Sequence, residues 1–282
     1  MISVVRTKAE LRRALTERGG QIGLVPTMGA LHAGHAALIA RAAAENRTAA
    51  ISIFVNPAQF NDPRDLERYP RPLERDLALA EASGAALAFV PTVEEMYPAG
   101  FATGVEVSGL TERWEGASRP GHFRGVATVV AILLAVFRPE RAYFGEKDFQ
   151  QLVVIRRMHT DLGMWGEIVP CPTIREPDGL ALSSRNVRLT PGHRRQAPVL
   201  YQALGTMADG CDDGIRSVPE LIEIGTQVLT SAPDLELDYL AVVNSATLEP
   251  IDEVSGGNAR VLIAARLGAV RLIDNVALGS LG

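Results

Sequence analysis

Residues 22–35 read IGLVPTMGALHAGH. The apolar run Ile22–Val25 is closed by Pro26, and a helical pattern takes over near His35. A short buried strand that passes through a glycine-bearing turn into a helix is the repeating unit of a parallel sheet covered on both faces. Gly29 and Gly34 let the backbone approach a ligand closely, and the helix start offers unpaired N–H groups to phosphate. His32 and His35 are three residues apart, so on a helical turn they project to one side. The alternative is a pair of surface or capping histidines. Zinc is the weaker choice, because no HExxH pattern and no clear third ligand accompany them.

Outward from this stretch the same alternation continues. Helical patterns are expected at Thr7–Arg18, His35–Asn46, Leu73–Ser83, Val126–Phe137 and Asp148–Leu162. Between them fall short apolar runs at Ile51–Val55, Ala86–Val90, Ala142–Phe144 and Glu167–Val169. That order predicts an α/β fold with a Rossmann-like parallel sheet. After about Asn186 the rhythm changes. Helices at Gly192–Met207 and Val218–Ser231 precede strand patterns at Leu237–Val243, Arg260–Ala265 and Val270–Ile273, which predicts a smaller α+β domain. Two domains are therefore expected, residues 1–176 and 177–282.

The 282 residues carry 28 basic and 33 acidic side chains, a formal charge of -5. With 47% hydrophobic and 22% charged residues, the chain is globular, not disordered. Its acidity argues against a protein built to grip nucleic acid. The apolar Val126–Phe137 stretch is too short to span a membrane, which needs about 20 residues. Cys171 and Cys211 form no CxxC pair, and the N-terminus has no secretory pattern, so a cytoplasmic location is expected. Lys8 and Lys147 are the only lysines among the 28 basic residues. A lysine kept in so arginine-rich a chain is a weak pointer to a site that needs a compact ammonium.

Ligands of open parallel sheets bind at the carboxyl ends of the strands. Three further segments sit there. In SIFVNPAQF, Asn56 and Gln59 emerge just past a strand, where amides can pair with hydroxyl or carboxylate groups. In YFGEKDFQQL, Gly145 makes a tight turn, Asp148 is placed as a helix cap, Lys147 stands at the helix mouth and Gln151 follows one turn later. In REPDGLALSSRN, two hydroxyls and an arginine suit a loop that closes on polyphosphate.

Together with LVPTMGALHAGH and RPGHFRGVATVV, these segments resemble, in order, the pantoate–β-alanine ligase family of HIGH-type nucleotidyltransferases. The likeness runs from residue 22 to about 190. HAGH is similar to the HIGH motif, and Leu182–Arg185 takes the place of the KMSKS loop. Asn61-Asp62 replaces the Gly-Pro that often follows the QF pair, and Ile132 replaces a common lysine.

The resemblance implies ATP-dependent condensation of (R)-pantoate with β-alanine through a pantoyl adenylate, in a homodimer. It places ATP on Met28, Gly29, Ala30, Leu31, His32, Ala33, Gly34 and His35, on Gly145, Glu146, Lys147, Asp148 and Ile174, and on Leu182, Ser183, Ser184 and Arg185. His35, His32, Lys147, Ser183, Ser184 and Arg185 would serve catalysis, with His35 as proton donor. Gln59, Gln151 and Asn56 would hold pantoate. Mg²⁺ would arrive on the phosphates of ATP, with no protein metal site assigned and Asp76 an outer contributor at most. The smaller domain would act as a lid. The alternatives are another adenylate-forming enzyme acting on a different acid, or a nucleotide-binding module without turnover. A dehydrogenase is disfavoured by the lack of GxGxxG, and a hydrolase elbow by the lack of GxSxG.

Overall fold

In the structure, a computed structural model that describes residues 1–279, the opening stretch forms the expected strand and helix, but Pro26 does not end the strand. It runs from Ile22 to Thr27. Pro26 lies beyond the last rung to the neighbouring strand at Arg141–Ala142, where a residue without an N–H can be accommodated.

The chain folds as two units: Met1–Glu146 with Gln150–Pro172, and Lys147–Phe149 with the residues from Thr173 onward. The first unit is built on six parallel strands, β1 (Ser3–Val5), β2 (Ile22–Thr27), β3 (Thr48–Ile53), β4 (Leu87–Phe89), β5 (Arg141–Gly145) and β6 (Glu167–Cys171), in the order β1-β4-β3-β2-β5-β6. From β2 the chain first adds strands on one side and later returns to add β5 on the other. The switch point therefore lies between β2 and β5, and the crevice at their carboxyl ends is where such sheets bind ligands.

The longer helices that accompany this sheet are α1 (Lys8–Arg18), α2 (Ala33–Glu45), α3 (Leu73–Ala82), α4 (His122–Phe137) and α5 (Phe149–Asp161). Thr7 starts α1 through a capping box with Glu10. The α4 helix is buried on nearly every side, as its apolar sequence requires. The far end of α2 is anchored by Tyr143 of β5. Its hydroxyl donates to Glu45 Oε2 at 2.8 Å and accepts from Asn46 Nδ2 at 2.7 Å. Burial pushes the Tyr143 phenol up to about 12, so it stays protonated and keeps donating.

In the second unit, β7 (Leu235–Asn244), β8 (Ala259–Leu267) and β9 (Val270–Leu278) form an antiparallel sheet in that order. The helices α6 (Val199–Asp212) and α7 (Val218–Leu229) precede it. The single helix expected over Gly192–Met207 is two, Pro191–Gln196 and α6. Pro198 sits at the N-cap of α6, where its missing N–H costs no helical bond. Leu200, Leu204 and Met207 of α6 share a core with Val270, Leu272 and Leu278 of β9. Among the described residues no helix is long and apolar enough to cross a membrane. Cys171 and Cys211 are both buried thiols.

Candidate active site

The turn that leaves β2 is shaped from beneath. Gly29 has φ +83° and Ala30 φ +50°, the left-handed region that a non-glycine residue enters only with support. Asp76 of α3 supplies it. Its carboxylate is 1% exposed and accepts from the Ala30 N–H through Oδ2 and the Leu31 N–H through Oδ1, each at 2.8 Å. A Cβ on Gly29 would lie 2.9 Å from Asp76 Oδ2, so the glycine is required for this approach. Thr27 completes the turn: its hydroxyl donates to the Ser52 carbonyl at 2.7 Å and accepts from Gly29 N at 3.2 Å. Asp76, offered by the sequence as at most a contributor to Mg²⁺, is spent on loop amides.

At the mouth of α2 the two histidines cap the helix with their own rings. His32 Nδ1 accepts from Gly34 N at 3.2 Å, and His35 Nδ1 accepts from His32 N at 3.3 Å. Their ring centroids are 4.1 Å apart. An Nδ1 that accepts assigns the proton of a neutral imidazole to Nε2. Both rings thus carry an Nε2–H donor at a helix N-terminus whose first turn holds no acidic residue. Capping, one of the two readings of the sequence, is made through Nδ1 of each ring.

Past β3, Asn56 is the hub of the second turn. Its Oδ1 accepts from Ala58 N at 3.2 Å and from the Tyr97 hydroxyl at 2.8 Å, while Nδ2 donates to Gln59 Oε1 at 3.0 Å and to the Gly125 carbonyl at 3.1 Å. The amide is 1% exposed and satisfied inside the protein. Asn56, expected to touch substrate, is bonded to Gln59 within this turn. Burial pushes Tyr97 up to about 12, so its phenol remains a donor.

With Oε1 held by Asn56, the Gln59 amide nitrogen faces Met28 Sδ at 3.0 Å, which brings the first and second turns together. The Gln59 carbonyl accepts from His122 Nδ1 at 2.8 Å and from Arg119 Nη2 at 3.3 Å. Gly125 lets α4 touch this turn; a Cβ there would meet the Ala58 carbonyl oxygen at 2.2 Å. The RPGHFRG segment is therefore the frame of Gln59, a role visible in the sequence only as a motif without an assigned task.

A cavity of about 580 Å³ opens beside Gln59, lined also by Tyr97, Phe101, His122, Arg124 and Thr128. That volume suits a small-molecule site. Gln151, His32 and His35 are not among its lining residues. Gly145 and Glu146 lie at the carboxyl end of β5, across the switch point from Met28.

Gln151 lies on α5 in the first unit, and the other expected residues belong to the second. Lys147 lies in the helical turn Glu146–Asp148 that leads into α5, and its ammonium is 3.6 Å from Asp148 Oδ1. Ile174 begins a small hairpin. Its carbonyl accepts from Leu182 N at 3.0 Å, Arg175 bridges Ala181, and the chain turns at Gly179, φ +93°. Ser183 then makes a tight turn, its hydroxyl accepting from Arg185 N at 3.2 Å and its carbonyl from Asn186 N at 3.0 Å. Leu182, Ser183, Ser184 and Arg185 are all half-buried. Arg194 clasps Asp178 at 2.5 Å and holds that carboxyl below its usual range. The segment read in the sequence as a loop that closes on polyphosphate is an internally bonded turn on a hairpin.

The family described as pantoate-beta-alanine ligase matches residues 3–277. The pantothenate synthetase of Thermus thermophilus is 55% identical over 273 residues, 96% of this chain and 98% of that protein. The Deinococcus radiodurans pantothenate synthetase is 53% identical over 276 residues, again 96% and 98%. A crystal structure of the Thermus thermophilus enzyme matches with a TM-score of 0.93 at 54% identity, covering 98% of this chain and 99% of that one. A pantoate-beta-alanine ligase from Francisella tularensis, complexed with beta-gamma ATP and beta-alanine, matches with a TM-score of 0.81 at 33% identity, 98% of each chain being covered.

Proposed function

Because the chain belongs to the pantoate–β-alanine ligase family, we propose that it joins (R)-pantoate to β-alanine with ATP, giving pantothenate, AMP and diphosphate. A carboxylate is a poor acyl donor, so a pantoate carboxylate oxygen attacks the α-phosphorus and diphosphate leaves. The β-alanine nitrogen then attacks the carbonyl carbon of the adenylate, loses a proton, and AMP departs with the carboxylate oxygen. Such transfer needs positioning and charge stabilisation more than covalent help.

The observation that carries this proposal is the histidine pair at the start of α2, with both Nδ1 atoms bound to backbone amides. It supports a role in which the two Nε2–H groups and the helix N-terminus stabilise developing phosphate charge, His35 serving the leaving diphosphate. The cradled Met28–Leu31 turn, with Ala33 and Gly34, is assigned to ATP, as are Gly145, Glu146, Asp148, Ile174 and Leu182. Lys147, Ser183, Ser184 and Arg185 are assigned to its phosphates. Gln59, held by Asn56, and Gln151 are assigned to pantoate. Mg²⁺ would arrive with ATP, where phosphate oxygens and water would hold it and it would neutralise phosphate charge. A lid role for the second unit, a homodimeric assembly and a cytoplasmic location belong to the same proposal.

Pantoate labelled with ¹⁸O in its carboxylate tests the chemistry. One labelled oxygen is expected in AMP. Label retained wholly in pantothenate would refute the adenylate.

A further inference from the structure

In the second unit, Lys147 and the hairpin that leads to the Ser183–Arg185 turn come from segments far apart in sequence, yet both are tied to one dipeptide of β9. Successive strand residues point to opposite faces, and Asp274 and Asn275 use one face each. Asp274, 5% exposed, is on the face shared with Leu272 and Val276, which packs on the unit's core. It takes both arms of the Arg175 guanidinium, at 2.6 and 3.0 Å. That guanidinium also donates to the Gly179 carbonyl at 3.1 Å and lies 3.8 Å from the Tyr201 ring centroid. Arg175 is thereby fixed at the base of the hairpin that delivers Leu182–Arg185.

Asn275, 3% exposed, faces the other way. Its Nδ2 donates to the Lys147 carbonyl at 2.9 Å and its Oδ1 accepts from Arg260 Nε at 2.7 Å, so the amide fits in one orientation only. The Arg260 guanidinium lies 4.0 Å from the Phe149 ring centroid and so holds the segment a second time. Apolar side chains would fill these positions without desolvating a carboxylate, so stability alone does not call for an Asp–Asn pair.

We propose that Asp274–Asn275 is a positioning element for adenylation: Asn275 sets the backbone of Lys147, and Asp274, through Arg175, sets the turn carrying Arg185. This rests on the assignment of Lys147 and Arg185 to phosphate. Asn275→Asp keeps the shape and the acceptor for Arg260 but turns an oxygen toward the Lys147 carbonyl. In pantoate-dependent exchange of diphosphate into ATP, it is expected to lower kcat/KM for ATP about tenfold. In a Lys147→Ala background the same change should cost less than about twofold, since nothing remains to be positioned. Asp274→Asn, alone and with Arg185→Ala, is expected to show the same loss of effect.

Equal losses in both backgrounds, or no loss in the native one, would overturn the proposal. Thermal unfolding of each variant is measured alongside. If Asn275→Asp does not fold, Asn275→Ser replaces it, and failure of both makes the dipeptide purely structural, which also overturns the proposal. Lack of exchange by the native chain, or native rates in Lys147→Ala, would instead strike the functional assignment itself and this proposal with it, a result read directly from those controls.

Discussion

Replacing Asp76 by asparagine is the sharpest perturbation of the turn assigned to ATP. The carboxylate accepts two amides at 2.8 Å, one from a residue held at positive φ. Asparagine keeps one acceptor oxygen and presents an NH₂ group to the other amide, donor against donor. Losing one hydrogen bond to a charged group costs about 1.5–3 kcal/mol. Ala30, no longer held, would leave a conformation that is disfavoured by about 1–2 kcal/mol. If the turn must be rebuilt when nucleotide binds, a cost of about 1.5–3 kcal/mol is a roughly ten- to hundredfold weaker Kd. Titration calorimetry with a non-hydrolysable ATP analogue measures this, beside a thermal melt of the same protein. The factor should be the same with and without Mg²⁺, because the lost bonds are to amides. A folded Asp76→Asn protein that binds the analogue within twofold of the native chain would refute the reasoning, and a loss seen only with Mg²⁺ would return Asp76 to the metal.

Gly125→Ala pushes a methyl into the backbone of Ala58 and Gln59. Overpacking of about 1–3 kcal/mol is expected, a fall in Tm of several degrees, with KM for pantoate rising more than KM for ATP; steady-state kinetics with each substrate varied would show it. Burial pushes the phenols of Tyr97 and Tyr143 up to about 12 in the fold, from the ordinary value near 10. Their folded pKa is raised, so the stability they contribute is fully present below about pH 10 and is lost as pH climbs toward about 12. Urea unfolding at a series of alkaline pH values should show that decline, and Tyr143→Phe should make it shallower.

The strands β2, β3 and β5 were legible because Pro, Gly and short apolar runs punctuate them locally, whereas their order in the sheet was not. The three-residue β1 was too short to show a pattern. What the sequence hides are long-range partners of polar side chains. Asp76 lies 45 residues from Leu31, on a helix whose pattern is ordinary amphipathicity. Asn56 looks like a ligand group after a strand, and only Tyr97 and Gly125, far along the chain, show that its amide is occupied. Asp274 and Asn275 read as polar residues of an alternating strand, although both are buried. His32 and His35 stand out because a helix start leaves a local mark, Gln59 only as an amide past a strand, and Met28 only through the resemblance; the supports of all four leave none.

Exchange of labelled diphosphate into ATP, measured with pantoate present and β-alanine absent, tests the central claim most directly. A reversible first step predicts label in ATP that depends on pantoate and disappears in its absence. A chain that makes pantothenate from all three substrates yet catalyses no such exchange would contradict the two-step account.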